Sequence, residues 1–216
     1  MLKNKQFVVI GLGRFGMSVA TTLSESGYEV MAVDINEEVI QEISSVVTHA
    51  VQADITDVDT LNSLGIRNFD VAIVAIGRDI QSSIMVTLLL KEIGMKYVVA
   101  KASNDLHKKV LQKLGADRII SPEHDMGVRI AHSLISGSIV EHIQLSPEYS
   151  IVEMLCLPGW SGKTIGELDM RADFGINTIA IERDKKITIT PGPDFLLREK
   201  DILVVVGANE KIQGLQ

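Results

Sequence analysis

The strongest constraint in this chain is a glycine run at a defined place. Gly11-Leu12-Gly13-Arg14-Phe15-Gly16 follows the apolar stretch 7–10 directly and opens a helical pattern at 15–26. In a strand–turn–helix setting the three glycines have separate jobs: a tight turn at Gly11, close approach of a pyrophosphate at Gly13, and close packing of helix on sheet at Gly16. The helix N-terminus then offers free N–H groups and a positive dipole end to phosphate. Asp34 ends the next apolar run eighteen positions after Gly16, where a carboxylate accepts from both ribose hydroxyls and repels a 2′-phosphate.

Beyond the glycines, short apolar runs at 7–10, 30–33, 49–53, 71–76, 97–101 and 118–120 alternate with helical patterns at 15–26, 37–45, 57–64, 80–93, 105–114 and 123–136. That alternation specifies a Rossmann-type α/β fold: a doubly wound, parallel, six-stranded sheet with crossover helices. The unbroken apolar run 71–76 suits a central strand covered on both faces. Ligands in such sheets bind beyond the carboxyl ends of the first and fourth strands, where strand order reverses.

After about Ser138 the pattern changes. Residues 139–145 read as a connector and Pro147 as a boundary, followed by strands at 150–157, 177–182, 186–189 and 201–206 and a short helix at 164–171. The expected division is a nucleotide-binding domain at 1–138 and a small α+β regulatory and dimerisation domain, with its connector, at 139–216. A unit of roughly 70 residues is small enough to gain from self-association.

Composition excludes several classes. With 216 residues, 46% of them hydrophobic and only 4% aromatic, the chain is a packed globular protein with an aliphatic core. Its mean hydropathy of +0.22 is high, yet no apolar run approaches the roughly 18 to 20 residues of a membrane span. A net charge of −7 without a basic cluster argues against nucleic acid as a partner. The start of the chain lacks an apolar signal segment, which predicts a cytoplasmic protein. Cys156, the single cysteine, sits in an apolar run and reads as a small buried hydrophobe.

Other residues fall at the same sheet edge. Arg14 within the glycine turn suits a phosphate-rich ligand such as ATP or ADP, or is a solvated arginine over the helix end. Asp54 and Ile55 end the third strand on the adenine side, with helix capping at Asp57 as the competing use for the acids. Ile76-Gly77-Arg78 ends the fourth strand, and Lys101-Ala102-Ser103 ends the fifth and adds a cation. His107 either reaches phosphate or ribose or is a surface histidine. Ser121-Pro122-Glu123-His124-Asp125 is a helix start. Glu123 serves that start, or holds Mg²⁺ or Ca²⁺ against the phosphates.

No second domain is large enough to bind a substrate for a dehydrogenase, and Gly-x-x-x-x-Gly-Lys-Ser/Thr is absent. A sensor is the leading reading. A compact NAD(H)-dependent oxidoreductase and an NADH-responsive redox regulator are the alternatives.

The glycine run, Ala32-Val33-Asp34-Ile35-Asn36-Glu37, Leu64-Gly65-Ile66-Arg67-Asn68-Phe69, Lys113-Leu114-Gly115-Ala116-Asp117-Arg118-Ile119-Ile120 and Pro122-Glu123-His124-Asp125-Met126-Gly127 resemble the cytosolic regulatory subunits of bacterial Ktr/Trk potassium uptake systems. The resemblance spans an RCK N-terminal and an RCK C-terminal domain. It implies no enzyme but a gating-ring subunit, assembled from dimers into an octamer. The ring is peripheral on the cytoplasmic face of a KtrB/KtrD-like membrane potassium-translocating subunit.

In that family ATP activates, ADP inactivates and NAD(H) can share the cleft. The implied positions are Arg14, Asp34, Ile35 and Asn36, then Asp54 and Ile55, then Ile76, Gly77 and Arg78, then Lys101, Ala102, Ser103, His107 and Glu123, with Arg14 sensing the γ-phosphate and Glu123 sharing a cation at a dimer interface. The family's C-terminal domain can bind inhibitory cyclic di-AMP. Ile165, Arg171, Ile176 and Pro191 are the expected contacts, with an exposed polar turn as the other reading of that region.

Overall fold

The computed structural model describes residues 5–135 and 139–215. Contacts divide the chain into two compact units between Pro122 and Glu123. The division expected at 138/139 falls at residues of which 136–138 lie outside those described.

The first unit alternates strand and helix: β1 (Gln6–Ile10), α1 (Arg14–Glu25), β2 (Glu29–Asp34), α2 (Glu37–Ile43), β3 (His49–Gln52), α3 (Val58–Ser63), a 3₁₀ turn at Ile66–Asn68, β4 (Val71–Val74), α4 (Ile80–Glu92), β5 (Val98–Lys101), α5 (Asp105–Lys113) and β6 (Arg118–Ile120). The six strands are parallel in the order β3-β2-β1-β4-β5-β6. The sheet is therefore doubly wound, with its switch between β1 and β4.

Successive side chains on a strand point to opposite faces, and here both faces are buried. Val8, Ile10, Ala72 and Val74 enter one apolar cluster, Val9, Ile73 and Ala75 the other. That double burial explains the unbroken apolar run at 71–76. The strand itself stops at Val74; the Ala75 N–H still donates to the Ile10 carbonyl at 2.7 Å, and Ile76-Gly77 turns away over Gly11.

The second unit contains α6 (Pro122–Ile135, entered at the division), β7 (Ile139–Gln144), β8 (Tyr149–Leu155), α7 (Ile165–Leu168), α8 (Met170–Asp173), β9 (Ile176–Arg183), β10 (Lys186–Ile189), β11 (Ile202–Ala208) and α9 (Asn209–Gln213). Its sheet is antiparallel, in the order β10-β9-β11-β8-β7. Val152, Met154, Leu203, Val205 and Ile181 pack with Trp160, Leu168, Met170 and Ile212. Trp160 meets Phe174 edge to face at 5.1 Å. Cys156 is buried as expected, and burial together with the Asp201 charge pushes its thiol up.

Two expectations are corrected here. The connector at 139–145 is strand β7, hydrogen-bonded to β8, and Pro147 lies in the hairpin between them. A register shift between Ile139 and Glu141 blurs the period-two signal. The helix expected at 164–171 is two short helices broken at Asp169, whose φ of 37° ends α7 and whose carboxylate caps α8 through the Ala172 N–H.

The second unit depends on one buried charge pair. Asp201, 1% exposed, takes two bonds of 2.7 Å from the Arg183 guanidinium and one of 2.8 Å from the Arg198 N–H. Burial alone would raise its carboxyl, but these bonds outweigh it and hold the group below its ordinary 3.8. Arg183→Leu should cost about 3 kcal/mol in chemical denaturation, because the carboxylate is left buried without its cation. The pair's stabilisation should be intact above pH 3.8 and disappear as pH falls through the depressed value, a loss the leucine variant should lack.

Candidate functional site

The site of the first unit is built at the carboxyl ends of β1, β2, β4 and β5. Gly11 turns with φ of +87°, and an added Cβ would meet Ile76 at 3.0 Å. Gly16 is closer still: a Cβ there would lie 1.9 Å from the Gly11 carbonyl oxygen. Gly13 is different, since nothing lies within 4 Å of where its Cβ would stand. The space above it is open to a ligand.

Asp34 locks this turn. Its Oδ2 accepts the Leu12 N–H at 2.6 Å and its Oδ1 the Asn36 N–H at 2.9 Å. Each oxygen retains a lone pair for a hydroxyl. Ile35 is 70% exposed beside it, and the Asn36 side chain is occupied in capping α2.

Capping singles out α1. Asn36, Asp57, Asp79 and Asn104 cap α2, α3, α4 and α5, each through a side-chain oxygen. α1 begins at Gly13 with no side-chain cap and no acid in its first turn. Its first N–H groups and dipole are the uncompensated positive end at this edge. Arg14 opens that turn, exposed, and makes no ion pair among the described residues.

The remaining residues expected at this edge fall into two groups. Lys101 is 9% exposed; its Nζ passes 3.1 Å from where a Cβ on Gly77 would be and 5.9 Å from the centre of the Phe15 ring. Ser103 donates its hydroxyl to the Gly77 carbonyl at 2.8 Å, joining the turns after β4 and β5. Arg78 is exposed. By contrast, Ile55 and Ala102 are core residues, so only their backbone can meet a ligand. Asp54 is exposed, and both the N–H and the hydroxyl of Thr56 bind its carboxyl and hold it below the usual value. Asp57 performs the capping.

His107 is a correction. It is 2% exposed, neither a surface histidine nor open to a ligand through its ring face, and burial lowers its basicity.

Glu123 lies exposed in the first turn of α6, within the second unit. No group of three or more His, Cys, Asp or Glu able to hold a metal occurs among the described residues. One carboxylate is not a site for Mg²⁺ or Ca²⁺, which take about six or more oxygen ligands.

The second unit has a cavity of about 250 Å³. Ile165, Arg171 and Ile176, all expected there, line it; Pro191 does not. Sequence reading missed Gly166, Asp169, Met170, Asn177 and Thr178. Thr178 shares the period-two face of Ile176 on β9, a signal that was available. Its hydroxyl is buried with no hydrogen-bond partner among the described residues.

The chain matches the TrkA-N domain over residues 7–122 and the TrkA-C domain over 157–216. It is 50% identical over 215 residues to Ktr system potassium uptake protein A of Bacillus subtilis, spanning 100% of this chain and 97% of that one. The chain belongs to the Ktr family of potassium-uptake regulators. Ktr system potassium uptake protein C of the same organism is 48% identical over 204 residues, 94% of this chain and 92% of the other. The crystal structure of the GsuK RCK domain superposes with a TM-score of 0.53 at 27% identity, over 100% of this chain and 46% of that one. Among the described residues, no helix of this Ktr-family chain is long and apolar enough to cross a membrane.

The glycine geometry separates folding from binding. Gly16→Ala should destabilise the first unit by about 3 kcal/mol, since backbone rather than a flexible side chain blocks the methyl group. Gly13→Ala should melt like the parent and lose affinity for phosphate-bearing ligands. Thermal melting and ligand calorimetry on both variants check the contrast.

Proposed function

We propose that the chain is the nucleotide-sensing subunit of a gating ring that controls a membrane potassium-translocating protein. The uncapped start of α1 beside Asp34 is the observation that carries this reading. A nucleotide fits it by class: phosphates on the α1 N–H groups, ribose hydroxyls on Asp34, and a base against exposed Ile35. ATP is the activating ligand and ADP the inactivating one, because Arg14 can pair with a third phosphate and lacks that partner in a diphosphate.

Gating needs a ligand that binds two ring states unequally. The γ-phosphate contact at Arg14 supplies that inequality, and the ring relays it to a KtrB/KtrD-like partner. The ring is octameric, built from dimers, and lies on the cytoplasmic face. Glu123 takes part in divalent-cation binding only when ligands from outside one chain complete the site.

NAD(H) is a second ligand of the same cleft, because Asp34 is suited to an unphosphorylated ribose. An oxidoreductase is the competing class, and hydride transfer by the purified protein would establish it. For the second unit, the cavity lined by Ile165, Arg171 and Ile176 favours cyclic di-AMP as inhibitor. Two symmetry-related chains each supply half of that site.

Arg14→Ala should weaken ATP about tenfold, the scale of one charge-assisted hydrogen bond, and ADP much less. In reconstituted vesicles the variant should lose the difference between ATP and ADP in potassium flux. An unchanged ATP response would remove Arg14 from the mechanism.

A further inference from the structure

His107 is buried behind the turn that follows β5. Its backbone N–H donates to Asn104 Oδ1 at 2.8 Å, and its ring Nδ1 accepts the Ser103 N–H at 3.2 Å. Ser103 passes this restraint on, because its hydroxyl holds the Gly77 carbonyl at 2.8 Å. A ring nitrogen that accepts carries no proton, so the imidazole is neutral with its hydrogen on Nε2. That Nε2 is itself buried, and no hydrogen-bond partner meets it among the described residues. Burying an unpaired donor is costly. What histidine brings to this buried position is titration near neutral pH.

We propose that His107 is a positioning residue of the nucleotide site, whose neutral ring ties the turn after β5 to the turn after β4 and releases both when protonated. This rests on the nucleotide reading. Protonation puts a hydrogen on Nδ1, which then confronts the Ser103 N–H, donor against donor. The Ser103 bond breaks, and the Ser103–Gly77 link and the placement of Lys101 across Gly77 loosen with it.

The charged groups on the elements that meet at this edge are Lys101 on β5, Asp105 and Lys108 on α5, Arg78 and Asp79 before α4, and Arg118 on β6. Burial alone, with no contribution from these charges, depresses the ring below its ordinary 6.5. Affinity should therefore be full above pH 6.5 and fall as pH drops through the depressed value.

Calorimetry with ATP and with ADP, from about pH 8 to about pH 5, compares the parent with His107→Asn and His107→Gln. Asparagine keeps an acceptor near the Nδ1 position, whereas glutamine places its amide near Nε2. The parent should lose about tenfold in affinity per pH unit below the ring's pKa. H107Q should bind weakly at neutral pH; H107N should recover most of that loss and lack the histidine-dependent slope. Titration of the nucleotide phosphates is common to all three proteins and cancels in the comparison.

Equal slopes in parent and H107N, or parent-like binding by H107Q, would overturn the proposal. Nitrogen NMR of the ligand-free parent supplies an independent arm. It should show an unprotonated Nδ1, and the Ser103 amide should lose exchange protection as His107 protonates. A proton on Nδ1 at neutral pH overturns the role. If the NMR result holds while the parent binds neither ATP nor ADP, the nucleotide reading itself fails and this role falls with it.

Discussion

The contact of Gly16 with the Gly11 carbonyl fixes how α1 leaves the sheet, and the rest of the first site follows from it. No side chain larger than hydrogen can occupy that position, so the helix enters directly over the end of β1. The Asp34 carboxylate then closes the turn from the side by taking the Leu12 N–H. One acidic group thereby fixes the backbone of the glycine turn and keeps free lone pairs at its edge. Under the proposed function, the two halves of a nucleotide meet parts that hold each other in place, which keeps the cost of organising the site within the fold rather than within binding.

The sheet was legible because its signals are local and redundant. Apolar strands alternate with helices throughout, glycines stop α1, α3, α4 and α5, and the strand order follows from the position of the glycine turn. The second unit was less legible. β7 acquires its strand character from pairing with β8 across a shifted register, which no local pattern reveals. The break at Asp169 needs a left-handed residue that is not glycine, held by its own capping bond.

His107 shows the same limit inside the better-read unit. Leu106 looks like the core residue and His107 like the surface one, yet Leu106 is exposed and His107 is buried. The phase of α5 is set by Leu111 and the half-buried Leu114, which share a helical face with position 107. Residue type pointed outward; helical period pointed inward and prevailed.

The two units leave their helix N-termini in opposite states. At α1 the first N–H groups are left without a side-chain cap, so backbone can supply much of the positive potential. At α7 the corresponding groups are consumed: the Ile165 N–H donates to the Phe195 carbonyl at 3.1 Å, Gly166 to Pro193 at 2.8 Å, and Glu167 to the Thr164 hydroxyl at 3.1 Å. The loop supplying two of those carbonyls is itself anchored by Arg183, which binds the Leu196 carbonyl and lies over the Phe195 ring. The first N–H groups of α7 therefore cannot attract an anion to the cavity beside it. Arg171 is the cation among the residues that line that cavity, so a phosphate bound there under the proposed reading would draw on this side chain.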